Sequence, residues 1–204
     1  MFVEAFALAA IEEGAVALRL EGKRDLAWLR PKVQLPIIGL IKRETHDPDV
    51  YITPAEEDAA ALIDIGADVI AFDATDGSEG VDRSAHIEAL IAFVHRSGRT
   101  AMADVATVAD GERAALLGAD VVATTLSGFT QATRDHTLPD LVLVEHLAER
   151  GVVVVAEGGI SEPAHIEAAF AAGAHAVTIG TAFSRPELLV RRFVAATPRG
   201  CRDA

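Results

Sequence analysis

Short apolar runs rich in β-branched residues alternate along this chain with longer stretches whose apolar positions recur at helical spacing. The runs predict seven strands, near residues 15–20, 35–42, 68–73, 100–105, 120–125, 152–157 and 175–180. Helical patterns number eight and begin with Phe2 to Glu13. A Gly-Ala pair followed by a strand recurs at Gly14, Gly66, Gly118 and Gly173, at spacings of 52, 52 and 55 residues. Each of these glycines ends a helical pattern, where a residue at positive φ is expected. Strands that alternate with helices imply parallel pairing. Near-equal spacing over the whole chain predicts an α/β fold of the closed (β/α)8 TIM-barrel kind rather than an open doubly wound sheet.

One strand is missing from that count. Gly14 has only 13 residues before it, and the helical pattern fills them. A seven-stranded or open barrel, or a barrel completed by another chain, would account for this. The regularity of the other periods favours an eight-stranded barrel lacking its first strand here, through truncation or a misassigned start. Residues 1–204 are expected to form a single phosphate-binding domain, since this length allows one sizeable core.

Barrel active sites lie at the C-terminal ends of the strands. Those ends collect Arg19, Lys42 with Arg43, Asp73 with Thr75, Asp104, Thr124 with Thr125, Glu157, and Gly180 with Thr181. Lys42 follows Ile37-Ile-Gly-Leu-Ile41, and Glu157 follows four valines and an alanine. A charge at a strand end can simply snorkel to water. Taken together, however, the two sit on the third and seventh strands of an eight-stranded barrel and so face each other across its mouth. A lysine and a glutamate so placed can act as acid and base on two faces of one carbon, the arrangement a two-base epimerase needs. Burial would lower the pKa of the first and raise that of the second.

The glycines of Gly158-Gly159-Ile160 and Gly180-Thr181, with Arg185 opening the last helix beside Pro186, form a phosphate candidate; the alternative is a pair of ordinary strand-to-helix turns. Asp104 either binds sugar hydroxyls or caps the helix starting near Thr107. Asp73 reads as support behind the site. Thr124-Thr-Leu-Ser-Gly-Phe-Thr130 holds four hydroxyls and reads as a substrate-contacting loop or a hydroxyl-rich turn. Arg19, amid apolar neighbours, calls for an anionic partner.

Composition narrows the ligand. A net charge of −13 argues against nucleic acid or an anionic membrane as partner. Any phosphate site is therefore a local positive pocket in a negative molecule. Cys201, the sole cysteine, excludes an intramolecular disulfide and reads as an incidental exposed thiol. No apolar run approaches the roughly 18 residues of a membrane span, and no charged-then-apolar segment opens the chain, so a cytoplasmic setting is expected. His86, His95, His146 and His165 read as surface residues, and no HxH or HExxH spacing points to a metal. Walker, GxGxxG and GxSxG signatures are absent as well.

Several motifs carry a family resemblance: Pro36-Ile-Ile-Gly-Leu-Ile-Lys-Arg43, Val50-Tyr-Ile-Thr-Pro54, Ala67-Asp-Val-Ile-Ala-Phe-Asp-Ala-Thr75, Met102-Ala-Asp104, Thr124 to Thr130, Ala156-Glu-Gly-Gly159 and Ser184-Arg-Pro-Glu187. In this order they resemble the N-acetylmannosamine-6-phosphate 2-epimerase family. The resemblance implies interconversion of N-acetylmannosamine 6-phosphate and N-acetylglucosamine 6-phosphate in sialic-acid breakdown, with no metal or organic cofactor. It implies Lys42 and Glu157 as the catalytic pair, Arg19 and Asp104 at the sugar, and Gly159, Gly180 and Arg185 at the phosphate; Thr124 and Thr181 join them as substrate-contact candidates from their strand-end positions alone. A homodimer is a fair expectation for such a barrel. Two departures stand out. The family's first strand, with its Ser-Cys-Gln-like run, has no counterpart here, and Phe129 stands where the family usually has tyrosine. Another phosphate-binding barrel, such as a pentose-phosphate epimerase or thiamine-phosphate synthase, and a non-catalytic sugar-phosphate-binding remnant are the alternatives.

Overall fold

A computed structural model describes residues 2–47, 50–78 and 81–197. Cys201 lies outside the described residues. Seven parallel strands follow one another in chain order: β1 (Leu18–Glu21), β2 (Ile37–Leu40), β3 (Val69–Asp73), β4 (Thr100–Asp104), β5 (Val121–Ala123), β6 (Val154–Ala156) and β7 (Ala176–Val177). Each pairs with its neighbour, and among the described residues β1 and β7 do not pair with each other. The fold is thus a TIM barrel open along one seam, as the missing first strand predicts.

Helices cover the outside: α1 (Phe2–Glu12), α2 (Lys23–Leu29), α3 (Glu56–Ile65), α4 (Ser84–Arg96), α5 (Val108–Leu116), α6 (Leu141–Glu149), α7 (Pro163–Ala171), α8 (Thr181–Ser184) and α9 (Pro186–Ala195). The four Gly-Ala marks have φ between 94° and 101°, the left-handed geometry expected after a helix. Thr107 and Asp110 form a reciprocal capping box at the start of α5. That settles one alternative, because α5 supplies its own cap and leaves Asp104 to other work.

One sequence expectation needs correction at the open seam. The strand expected over 175–180 keeps ladder pairing only at Ala176 and Val177, since β7 has a neighbour on one side alone. As expected, Arg185 opens the last helix, α9, with Pro186 in its first turn, and the short helix α8 precedes it.

Strand alternation decides what faces inward. Ile37, Ile41, Ile70, Phe72, Ala101, Ala103, Val122, Val154 and Ala156 pack in the larger core under the helices. The residues between them, Leu40, Ala71, Met102, Ala123 and Val155, form a second, smaller core inside the barrel. Side chains alternate with a period of two. Continuing the inner rows to the strand ends gives Arg19, Lys42, Asp73, Asp104, Thr125 and Glu157. Polar groups gather at one end because the apolar inner rows stop there. Among the described residues, no helix is long and apolar enough to cross a membrane.

Candidate active site

Arg19 is the hub of the barrel mouth. Its Nη2 donates to Asp104 Oδ2 at 2.7 Å, and its Nε lies 3.3 Å from Glu157 Oε2. The β1, β4 and β6 strand ends are joined through this one guanidinium, which is 8% exposed while the Asp104 side chain is fully buried. Burial works to strip the charge from Arg19, but Asp104 and Glu157 outweigh it and hold its pKa above the ordinary value. Thr125 donates its hydroxyl to the other Asp104 oxygen at 2.8 Å.

Glu157 is set apart electrostatically. Burial pushes its pKa up; Arg19 opposes, the nearby Asp104 charge reinforces, and Thr125 and the Lys42 charge oppose. Its Oε2 has no hydrogen-bond partner, so the Arg19 contact is an ion pair without hydrogen-bond geometry. A carboxyl of this kind can take and return a proton nearer neutrality than an exposed one. The backbone of Glu157 is clamped by Thr124, whose hydroxyl donates to the Glu157 carbonyl at 2.9 Å and accepts its N–H at 3.0 Å.

Lys42 extends from β2 through an antiparallel bridge to Ile52. Its Nζ lies 5.8 Å from the Tyr51 ring centre, within cation–π range. Lys42, Arg43, Glu44, Thr45 and Tyr51 line a cleft of about 510 Å³. Lys42 is exposed, so the burial expected for it is not found; it stands over the mouth where β2 has already ended.

Asp73 is level with Asp104 in the β3–β4 ladder. Its Oδ1 accepts from the Thr75 N–H and hydroxyl and from Arg83, while Oδ2 is buried without a hydrogen-bond partner. Burial dominates and raises its pKa to about 6 despite the Thr75 bonds. A raised folded-state value means that stability is full below the unfolded value and is lost as pH climbs through the folded one. Asp73→Asn should therefore gain about 2–3 kcal/mol relative to the wild type between pH 4 and pH 7. Paired urea titrations at the two pH values measure that difference.

At the β6 and β7 ends, Gly158 and Gly159 have φ of 97° and 74°, and a Cβ on Gly159 would lie 2.5 Å from Leu138 Cβ. Gly180 precedes α8 with exposed Thr181 after it. Arg185 is 58% exposed and bonds Glu187 at 2.7 Å, so reaching an anion requires it to exchange partners. Phe129 is exposed beside the Gly158 backbone. Of the expected surface histidines, His86, His95 and His146 are exposed and His165 is half-buried.

Sequence reasoning passed over two contributors. Thr125 stands beside Thr124 at the end of β5, yet Thr125 alone faces inward and bonds Asp104; β5 is covered on both faces and offers no alternation that separates them. Tyr51 carried no signal of its own beyond its place in the Val50-Tyr-Ile-Thr-Pro54 motif.

A parallel barrel with ionisable groups at its C-terminal strand ends is the layout of the TIM-barrel enzymes. Comparison with known proteins narrows this. Residues 3–199 match the NanE family model, described as "Putative N-acetylmannosamine-6-phosphate epimerase". A relative from Klebsiella pneumoniae, named "Putative N-acetylmannosamine-6-phosphate 2-epimerase", is 48% identical over 91% of this chain and 77% of its own length. The bifunctional enzyme NanE/NanK of Brucella melitensis is 44% identical, and the match spans 35% of that longer protein. The solved N-acetylmannosamine-6-phosphate 2-epimerase from Clostridium perfringens superposes with a TM-score of 0.86 at 34% identity, covering 95% of this chain and 84% of that one. The chain belongs to the N-acetylmannosamine-6-phosphate epimerase family.

Proposed function

We propose that this chain interconverts N-acetylmannosamine 6-phosphate and N-acetylglucosamine 6-phosphate in amino-sugar catabolism, by removing and returning the proton on carbon 2. The observation that carries the reading is the Arg19–Asp104–Glu157 cluster at the strand ends, with the Lys42 charge reaching Glu157. Carbon 2 is acidic only when carbon 1 is an aldehyde, so the open-chain sugar is the reacting form. One group of the Lys42–Glu157 pair takes the carbon-2 proton, and the electron pair moves onto the carbonyl oxygen as an enolate. The positive charge of Lys42 or Arg19 stabilises that oxygen. A proton delivered to the opposite face restores the aldehyde with inverted configuration.

In this proposal Arg19, Asp104 and Thr124 serve the sugar end, Thr124 by holding the Glu157 backbone. Gly159, Gly180, Thr181 and Arg185 serve the phosphate through backbone N–H groups and one guanidinium. No metal or organic cofactor takes part. A cytoplasmic homodimer belongs to the same reading; exposed Val190, Phe193 and Val194 on α9 favour self-association, which light scattering measures.

A second reading, a sugar-phosphate-binding barrel without catalysis, draws on the edges of β1 and β7 that are unpaired among the described residues. One experiment separates the two. The chain is incubated with N-acetylmannosamine 6-phosphate in heavy water and carbon 2 is followed by NMR. Deuterium at carbon 2 together with the gluco epimer is the expected result. Binding without exchange would favour the second reading.

A further inference from the structure

We propose that Thr53 is a positioning residue for Lys42. It is the only non-glycine residue at positive φ (42°) among the described residues, and it is fully buried. A β-branched residue is disfavoured there, and the Pro54 that follows pushes its predecessor toward extended geometry instead. Backbone strain of this kind persists only where surrounding structure holds it in place.

The strained geometry serves the residue just before Lys42. The Thr53 N–H donates to the Ile41 carbonyl at 2.7 Å, and the Ile41 N–H donates to Thr53 Oγ1 at 3.1 Å. The two bonds close a ring around Ile41 after β2 has ended. The Arg43 N–H donates to the Tyr51 carbonyl at 2.9 Å, and Lys42 bridges Ile52 between them. Ile52 is tied in turn to the next strand, its carbonyl accepting the Asp73 N–H at 2.9 Å. On the far side, the Lys42 N–H donates to Glu21 Oε1 at 3.3 Å. Segment 41–43 is therefore held from both sides, which preserves the inward parity that places Lys42 on the row of Leu40. Only the Thr53 contact combines strain with a side-chain hydrogen bond.

The inference rests on reading Lys42 as an acid–base group, so its test includes a readout that does not need turnover. Thr53→Val keeps the shape and removes the acceptor; Thr53→Gly removes the acceptor and relieves the strain; Thr53→Ser keeps the acceptor. We expect Thr53→Val and Thr53→Gly to lower kcat by about 10–100-fold with KM within about 2-fold, as misplaced catalytic groups do. Thr53→Ser should stay within about 3-fold of the wild type. In protein carrying 13C-methylated lysines, the Lys42 resonance, identified by its loss in Lys42→Arg, should move in Thr53→Val and Thr53→Gly and return in Thr53→Ser. An unmoved resonance in both variants overturns the proposal, whether kcat is unchanged or falls only in step with thermal stability. If Lys42→Met leaves exchange intact, the catalytic reading fails instead, and the Lys42 resonance alone decides whether Thr53 positions it.

Discussion

Lys42→Met should lower the rate of carbon-2 exchange by about 10²–10⁴-fold, the usual contribution of a placed acid–base group. Methionine keeps an unbranched apolar stem and deletes the charge and the proton. Because Lys42 is exposed and its segment is held through the backbone, the substitution should change stability by no more than about 0.5 kcal/mol. The expected result is thus a folded protein that still binds the sugar phosphate and fails at the chemical step. Exchange measured by NMR, with thermal melting as the control, reports both. Exchange near the wild-type rate in Lys42→Met would remove Lys42 from the chemistry and leave Arg19 as the cation at the enolate oxygen.

The strands were legible wherever apolar runs met glycine marks at regular spacing. Their ends were harder to read. Val121-Val-Ala123 is buried on both faces, so it shows no alternation, and the inward Thr125 could not be told from the outward Thr124 by composition. The opening of α9 at Arg185 did have a signal, since Pro186 forbids a helical predecessor in most settings. Thr53 had none: nothing in a Thr-Pro pair announces positive φ, and only the fold around Ile41 imposes it. The exposure of Lys42 depends on where β2 stops pairing, a tertiary fact that an apolar run reaching residue 41 does not encode. The carboxylates at 73, 104 and 157 were visible as strand-end residues, yet their different surroundings followed from packing. Asp104 shares its two oxygens between Arg19 and Thr125, whereas Asp73 Oδ2 and Glu157 Oε2 are left without hydrogen-bond partners.

Arg19→Met should be the most disruptive single change at the mouth. It leaves two carboxylates without the cation between them, and removing one partner of a buried ion pair costs about 3–5 kcal/mol. The loss should depend on pH in a definite direction. Glu157 is already raised by burial, and Arg19 is the largest influence opposing that rise. Without Arg19 its folded value climbs further, so stability is retained at low pH and lost as pH rises through that higher value. The variant should therefore melt closest to the wild type near pH 4–5 and fall furthest behind near pH 8. Adding Glu157→Gln removes one of the stranded charges and should recover part of the stability at pH 8 while leaving carbon-2 exchange abolished. That recovery tests the stabilising role of Arg19. If stability returns in the double variant, Arg19 holds the mouth together by neutralising the strand-end carboxylates; its effect on the ionisation of Glu157 is read instead in the single Arg19→Met variant, where Glu157 remains. If neither stability nor its pH dependence changes in the single variant, the Arg19–Asp104–Glu157 cluster is not what holds the mouth together.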